Sequence, residues 1–134
     1  YNASPASMRA AFAVLGDSQP ATGGRRIAVL GDMLELGDAS ASLHAGLAND
    51  LAANRVDQVF CAGTNMAALD DALPAAMRGG TAADSQALAG PVCQAVTAGD
   101  VVLIKGSLGS RMAVVVDALC ALDTDGRLET NNAV

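Results

Sequence analysis

The sequence has 134 residues, of which 51% are hydrophobic, and this is enough for one domain with a buried core. Acidic residues outnumber basic ones by 14 to 8, and the aromatic residues are one tyrosine and two phenylalanines, so the chain lacks the charge and stacking groups that nucleic-acid binding requires. No apolar run approaches the roughly 20 residues that cross a bilayer and no signal-peptide pattern is present, so we expect a soluble, cytoplasmic protein without a membrane span.

Helix and strand patterns alternate through the first half of the chain. Ser4 followed by Pro5 is a helix-start signal, because serine caps a first turn and proline fits the first helical position. The apolar runs RIAVLG and VDQVFCAG are typical of buried strands. The patterns predict helices over 5–16, 39–54 and 64–73, the last capped by Thr64, and strands over 26–31 and 56–63.

The second half repeats this alternation and ends in a polar segment. DVVLIKG is the strongest strand pattern of the chain, whereas GGTAAD contains a weak one. Residues 123–134 are polar, and we expect a flexible tail there. The patterns predict strands over 80–83 and 100–106, a helix over 85–96 opened by Ser85, and a last helix that starts at Ser107 or Ser110.

Strands that alternate with helices through short links form parallel sheets with right-handed crossovers. We therefore predict an α/β fold, a Rossmann-like three-layer sandwich whose mainly parallel sheet has helices on both faces, as one domain over 1–122. The complete alternation, without a long unpaired apolar segment, favours a monomer. Four strands are fewer than the usual number of about five or six, so we expect an edge or leading strand before Tyr1 in a longer parent protein.

The cysteines indicate neither disulfide bonds nor a metal site. The sequence has an odd number of cysteines, three, and they show no metal-site spacing. They lie in apolar stretches, at Cys61, Cys93 and Cys120. This pattern is typical of reduced, buried thiols in a cytosolic protein.

Ligands of open parallel sheets bind at the carboxyl ends of the strands, where the segments GDMLELG, AGTN and KGSLGS fall. In KGSLGS, Lys105 precedes the glycines, which is the wrong order for a Walker A loop, and no GxGxxG dinucleotide motif is present. Two interpretations stay open. Lys105 contacts a phosphate or carboxylate near the last helix, or it ends a strand in solvent while Gly106 and Gly109 form a turn.

Five further side chains near these segments are candidates for a site. Asp32 and Glu35 either orient a ligand or cation, or cap the following helix. For His44, which has no second histidine or nucleophile beside it, a hydrogen bond back to GDMLELG is favoured over a catalytic-base role. Ser107 has no paired base, which argues against a nucleophile. Arg111 lies in the predicted first turn of the last helix, where its positive charge interacts unfavourably with the helix dipole. Contact with an anion explains its position better.

Three sequence blocks occur in a recognisable order: YNASPASMRAAF, then GDMLELG with His44 beyond it, then VLIKGSLGSRM. Together they resemble the C-terminal domain of the Mur ligases over residues 1–122, and among these the members that add D-alanyl-D-alanine in peptidoglycan synthesis. Two positions depart from the family pattern. Ser4 replaces an asparagine of the first block, and Leu108 stands where many members have arginine.

The resemblance implies a parent enzyme with a UDP-sugar domain, a central ATP-binding domain and this Rossmann-like domain. Such an enzyme uses ATP and Mg²⁺ to phosphorylate the carboxylate of UDP-N-acetylmuramoyl-tripeptide, and the amine of D-alanyl-D-alanine then attacks the acyl phosphate. The resemblance implies no catalytic residue and no metal ligand in this fragment. It implies nucleotide contacts from Tyr1, Asn2 and Asp32, substrate contacts from Lys105, Gly106, Ser107 and Arg111, and loop support from Glu35 and His44.

Two functions therefore compete. The first is the C-terminal domain of that ligase, which closes over the nucleotide and the dipeptide and is inactive alone, because the P-loop that clamps the phosphates lies in the central domain. The second is a free-standing α/β module that binds an anion or a nucleotide without catalysis.

Overall fold

The computed structural model describes residues 3–122, which form a three-layer α/β sandwich; the predicted tail over 123–134 lies outside them. The strands are β1 Arg26–Gly31, β2 Gln58–Ala62, β3 Arg78–Ala82 and β4 Val101–Lys105. They pair in parallel in the order β3-β2-β1-β4. The helices are α1 Pro5–Asp17, α2 Ser40–Ala53, α3 Ala67–Ala72, α4 Ser85–Ala95 and α5 Ala113–Leu122. The predicted fold class is confirmed.

Two apolar cores lie on the two faces of the sheet. Side chains alternate between the faces along a strand, so Ala28 and Leu30 of β1 point to one core while Ile27 and Val29 point to the other. Helices α1, α2 and α3 cover the first core, and we call this side the first face. Helices α4 and α5 cover the second core on the second face.

Both ends of α1 are satisfied by side chains. Ser4 caps the first turn as predicted, since its hydroxyl accepts a hydrogen bond from the Ser7 N–H at 3.1 Å. At the other end, the guanidinium of Arg26 donates to the carbonyls of Leu15 at 3.2 Å and Ser18 at 2.7 Å. The start of β1 is thereby joined to the end of α1, where carbonyl groups lack helical partners.

Replacing Arg26 by alanine is expected to lower the free energy of unfolding by about 2 kcal/mol, because two charge-assisted hydrogen bonds to helix-end carbonyls are lost. Urea unfolding of the two proteins measures the difference. Arg9→Ala is a matched control, since Arg9 is half exposed and pairs with Asp50 on the surface at 3.0 Å. That change should cost less than about 1 kcal/mol, and an equal cost for both would contradict the assigned role.

Asp100 joins the start of β1 to the turn before β4 at the amino edge of the sheet. Its carboxylate accepts hydrogen bonds from the N–H of Arg25 at 2.8 Å, the guanidinium of Arg25 at 3.1 Å and the N–H of Thr97 at 2.8 Å. Burial favours the neutral acid, but the hydrogen bonds from Thr97 and Arg25 and the charge of Arg25 outweigh it. The pKa of the Asp100 carboxyl is therefore held below its ordinary value.

The lowered pKa of Asp100 predicts a pH-dependent stability. Its contribution is fully present above the unfolded-state pKa of about 3.9 and is lost as the pH falls through the lower folded-state pKa. At pH 7 we expect Asp100→Asn to reduce the free energy of unfolding by about 2 kcal/mol. Denaturant unfolding measured from pH 7 down to pH 2 should show this difference shrinking below about pH 4, and a constant difference would exclude a role for the charge.

Two predicted helix starts and one burial prediction were wrong. Helix α3 starts at Ala67 instead of Thr64, and a 3₁₀ turn separates β4 from α5, which starts at Ala113. In both cases a loop with its own hydrogen bonds precedes the helix. Helix α4 starts at Ser85 as predicted, and β2 and β3 each start two residues from their predicted positions. Of the three free cysteines, Cys61 is buried as expected, Cys93 is half-buried and Cys120 is exposed.

Burial raises the pKa of the Cys61 thiol to about 12, and the charges of Asp70 and Asp32 add to this effect. The thiol is therefore neutral at ordinary pH and a weak nucleophile.

Within residues 3–122, no helix combines the length and apolarity needed to span a membrane.

Candidate functional site

Two loops at the carboxyl edge of the sheet flank its topological switch point. The β1 loop, residues 32–39, follows β1 and leads to α2 on the first face. The β4 loop, residues 106–112, follows the neighbouring strand and leads to α5 on the second face. Ligands of open α/β sheets bind where adjacent strands lead to opposite faces, so the two loops mark the candidate site.

Hydrogen bonds join the two loops into one unit. The N–H of Ser107 donates to the carbonyl of Asp32 at 3.1 Å, and the hydroxyl of Ser107 accepts from the N–H of Leu34 at 3.0 Å. The hydroxyl of Ser110 also donates to the carbonyl of Asp32, at 3.2 Å. Ser107 is only 3% exposed, so the residue predicted to contact substrate positions the β1 loop from within.

Two glycines let the strand ends approach each other closely. A Cβ atom on Gly106 would lie 2.9 Å from the Cα of Gly31 and 2.9 Å from the Cγ of Met112. A Cβ atom on Gly31 would lie 2.7 Å from the Met112 sulfur. Real Cβ atoms do not come this close to their neighbours, so Gly106 serves the packing of β1 against β4 whatever else it contacts.

His44 holds the β1 loop from α2. Its Nε2 accepts a hydrogen bond from the N–H of Met33 at 3.0 Å, while its Nδ1 lies 2.7 Å from the carbonyl of Ser40. These partners assign the neutral tautomer with the proton on Nδ1. The side chain is fully buried. The hydrogen bond that the sequence predicted is present.

Glu35 contributes to the β1 loop through its backbone. It has a positive φ of 63°, which is uncommon for a residue other than glycine. The side chain is exposed, and within residues 3–122 no hydrogen bond or ion pair holds its carboxylate. The loop support that we predicted for Glu35 therefore has no side-chain contact among the described residues.

Asp32 caps a different helix from the one predicted. Its carboxylate accepts hydrogen bonds from the N–H groups of Met66 at 2.9 Å and Asn65 at 3.4 Å, just before α3. We expected a ligand contact or a cap of the following helix, α2. The carboxylate reaches α3 instead because β1 and β2 are neighbours in the sheet. Gly63, with φ of 107°, packs so closely that a Cβ atom there would lie 2.5 Å from this carboxylate.

A pocket of about 150 Å³ opens beside Asp32 at the same edge of the sheet. It contains two carboxylates, those of Asp32 and Asp84, and among residues 3–122 no lysine or arginine lines it. Asp84 caps α4 by accepting from the N–H of Ala87 at 2.8 Å. Of the predicted site residues that the structure describes, only Asp32 takes part. The lining residues are Asp32, Leu34, Ala62, Gly63, Ala83, Asp84, Ser85, Gly109 and Ser110.

Several of these pocket residues were not predicted. Asp84 and Ser85 follow β3, the weakest strand pattern; Asp84 was only the end of the segment GGTAAD, and Ser85 was interpreted as a helix start alone. A signal was available, because polar residues directly after a parallel strand lie at the carboxyl edge with those of its neighbours. Gly63 belongs to the segment AGTN, which was placed at this edge, but its close contact with Asp32 across the sheet was not predicted.

The two basic residues of the site are Lys105 and Arg111. Lys105 ends β4 opposite Leu30 and is partly exposed. Arg111 is exposed and left-handed, with φ of 53°, so it precedes α5 and does not lie in its first turn as we predicted. The 3₁₀ turn that inserts before α5 displaces it. Within residues 3–122, neither side chain forms an ion pair, so both charges remain available to a ligand.

The remaining predicted contacts, Tyr1 and Asn2, lie outside the described residues. Among residues 3–122, no three histidine, cysteine, aspartate or glutamate side chains are grouped to hold a metal ion.

Comparison with known proteins decides the family. The model of the "Mur ligase, glutamate ligase domain" family matches residues 1–108, most of the chain. This chain belongs to the Mur ligase family. The match includes the β1 loop and the segment from Lys105 to Leu108, and it ends before Arg111 and α5. The predicted family resemblance is confirmed.

Relatives of this Mur ligase domain include UDP-N-acetylmuramoyl-tripeptide–D-alanyl-D-alanine ligase of Bacillus subtilis (strain 168), which is 40% identical over 63 residues, or 47% of this chain and 13% of the relative. Two solved structures are each 27% identical in sequence to this chain. MurF ligase from Thermotoga maritima in complex with ADP has a TM-score of 0.72, with 89% of this chain and 26% of that chain covered. MurF from Acinetobacter baumannii has a TM-score of 0.76, with 90% and 27% covered. The domain thus spans about a quarter of the solved relatives' length.

Proposed function

We propose that this chain is the C-terminal domain of an ATP-dependent ligase that adds D-alanyl-D-alanine to UDP-N-acetylmuramoyl-tripeptide in peptidoglycan synthesis in the cytoplasm. The observation that carries the proposal is the interlocked loop pair at the switch point. Lys105, which pairs with no carboxylate within residues 3–122, lies beside it at the edge of a fold shared with MurF ligases, one of which was solved with ADP. In this proposal the domain closes over the nucleotide and the incoming dipeptide.

The parts of such a ligase that clamp ATP phosphates belong to another domain. The sequence has no Walker A motif. The described residues do not fit a magnesium site, since no group of three metal-ligating side chains occurs in them and both oxygens of Asp32 accept N–H groups just before α3. We therefore assign ATP and Mg²⁺ mainly to the central ATP-binding domain of the parent chain and expect the present chain alone to be an inactive monomer.

The role we assign to this chain's residues is binding and orientation. When the peptide carboxylate is phosphorylated, negative charge lies at the cleft, and Lys105 supplies a compact positive charge at the rim of the loops. His44 and Ser107 contribute indirectly, by positioning the β1 loop, because each accepts a hydrogen bond from a backbone N–H of that loop. Gly106 keeps the two strand ends in contact, and Arg111 offers a second charge beyond the 3₁₀ turn.

The test is a ligation assay with the full-length protein from the encoding reading frame. With ATP, Mg²⁺, UDP-N-acetylmuramoyl-tripeptide and D-alanyl-D-alanine, we expect phosphate release that depends on the dipeptide. The 134-residue chain alone should release phosphate no faster than a control without protein. Phosphate release by the chain alone, or a full-length protein inactive with this dipeptide, would contradict the proposal. A reading frame with no P-loop segment upstream would favour the alternative, a free-standing anion-binding module.

A further inference from the structure

The proposed function assigns no role to the acidic pocket beside Asp32. Its two carboxylates are those of Asp32 and Asp84, and among residues 3–122 no basic side chain lines it. Two negative charges repel phosphate groups, so the pocket is unsuited to a nucleotide. At about 150 Å³ it is also smaller than the roughly 300–1,000 Å³ of pockets that enclose a whole drug-sized ligand. Its size and charge suit the small, positively charged end of a ligand.

A nearly buried hydroxyl without a partner lies in the wall of this pocket. Ser85 lines the pocket and is only 2% exposed, and within residues 3–122 its side chain forms no hydrogen bond. Among these residues, the one fully enclosed side-chain oxygen without a partner belongs to Asp70, so the Ser85 oxygen retains some accessible surface, and the pocket provides it. Buried hydroxyls usually have a hydrogen-bond partner. The position of Ser85 therefore points to a polar ligand group inside the pocket.

Asp84 uses one carboxylate oxygen for the protein and leaves the other for a ligand. Its Oδ1 accepts a hydrogen bond from the N–H of Ala87 at 2.8 Å and thereby caps α4. Within residues 3–122, no hydrogen bond or ion pair engages its Oδ2. A helix N-terminus ordinarily favours an anion, but the Asp84 carboxylate already supplies that anion. A second group beside it is therefore expected to be a hydrogen-bond donor.

The β4 loop connects the acidic pocket with the basic residues of the site. Gly109 and Ser110 line the pocket, Lys105 directly precedes the loop, and Arg111 follows Ser110. A dipeptide zwitterion carries an ammonium group and a carboxylate separated by two residues, or roughly 7 Å of extended chain. Such a ligand can place its ammonium group at the carboxylates of the pocket and its carboxylate at a basic side chain.

We propose that Asp84 and Ser85 bind the ammonium group of the incoming D-alanyl-D-alanine. The ammonium group donates hydrogen bonds to Oδ2 of Asp84 and to the hydroxyl of Ser85, and the charge of Asp32 adds to the attraction. Ala62 and Ala83, which also line the pocket, form an apolar wall for the methyl group of the first alanine. The inference rests on the proposed function for the identity of the dipeptide.

NMR titration of the 134-residue chain tests the pocket directly. With D-alanyl-D-alanine at up to about 10 mM, above the usual KM range of about 1 μM to 1 mM, the amide signals of Gly63, Asp84, Ser85 and Gly109 should shift. N-acetyl-D-alanyl-D-alanine keeps the carboxylate but has no ammonium group, and it should not shift them. Asp84→Asn should remove the response. Because asparagine is as good an N-cap as aspartate, Tm should stay unchanged.

Steady-state kinetics of the full-length ligase measures the same contact in the enzyme. We expect Asp84→Asn to raise KM for D-alanyl-D-alanine about ten- to a hundredfold and Ser85→Ala to raise it about tenfold, whereas KM for ATP should change less than about twofold. Asp117→Asn is the matched control, since it removes an exposed carboxylate on α5 that does not line the pocket. It should leave KM for the dipeptide unchanged.

The two experiments separate this assignment from the proposed function. A full-length Asp84→Asn ligase with an unchanged KM for the dipeptide, or equal amide shifts with the N-acetylated dipeptide, would overturn the assignment and leave the ligase function intact. A full-length protein that does not use the dipeptide would refute the ligase function. Amide shifts that require both the ammonium group and Asp84 would then still support an ammonium pocket, and their absence would overturn both.

Discussion

Replacing Lys105 by alanine in the proposed full-length ligase is expected to lower kcat/KM for D-alanyl-D-alanine about ten- to a hundredfold. Lys105 is the only lysine of the sequence and stands at the end of β4, beside the interlocked loops. Within residues 3–122 no carboxylate neutralises it. The loss of one charge-assisted contact with nucleotide or substrate accounts for an effect of this size. Steady-state kinetics at saturating ATP measures it.

The stability of the Lys105→Ala protein separates a functional role from a structural one. The side chain is partly exposed at a strand end, so the free energy of unfolding should change by no more than about 0.5 kcal/mol. Lys105→Arg keeps the charge but changes its geometry, and we expect it to restore part of the lost activity. Unchanged turnover with unchanged stability would make Lys105 an ordinary strand end. A large loss of stability would make it structural and remove the evidence for a ligand contact.

Replacing His44 by alanine is expected to lower the free energy of unfolding by about 3 kcal/mol, and Tm by about 10 °C. The imidazole is fully buried and accepts the hydrogen bond of the Met33 N–H. Its removal leaves a cavity and a buried N–H without a partner, and both cost free energy. Urea unfolding of the 134-residue chain measures the change.

The matched control for His44 is Ser40→Ala. The main partner of the His44 Nδ1 is the Ser40 carbonyl, which this change retains, while the hydroxyl contact at 3.3 Å is lost. We expect less than about 1 kcal/mol from it. In the full-length ligase, His44→Ala should also reduce kcat/KM, because the β1 loop that it holds is bonded to Ser107. A His44→Ala protein as stable as the Ser40→Ala protein would contradict the loop-holding role.

Local sequence patterns predicted most elements because their causes are local. Ser4 and Pro5 determine the start of α1 within one turn, and the apolar runs of β1 and β4 were placed within one residue. The predicted start of α5 was wrong because Leu108, Gly109 and Ser110 form a 3₁₀ turn before the helix. That turn depends on packing against β1, which no local pattern contains.

For the candidate site too, local features could be predicted from the sequence and long-range contacts could not. The order of the three motif blocks was sufficient to indicate the family. The hydrogen bond that His44 accepts from the β1 loop could be predicted because its donor, Met33, is only 11 residues away. The contacts of Asp32 could not be predicted from the sequence. Its carboxylate caps α3 and lines a pocket with Asp84, which lies 52 positions further along the chain.

The sequence by itself determined the fold class, the alternation of elements and the family, since these depend on hydrophobic periodicity, capping residues and motif order. The tertiary structure alone decided the strand order, the pocket and the interlocking of the β1 and β4 loops. The physical reason is sequence separation. Ser107 and Leu34 are 73 positions apart, and they meet because β1 and β4 pair in the sheet, with a close approach that Gly31 and Gly106 allow.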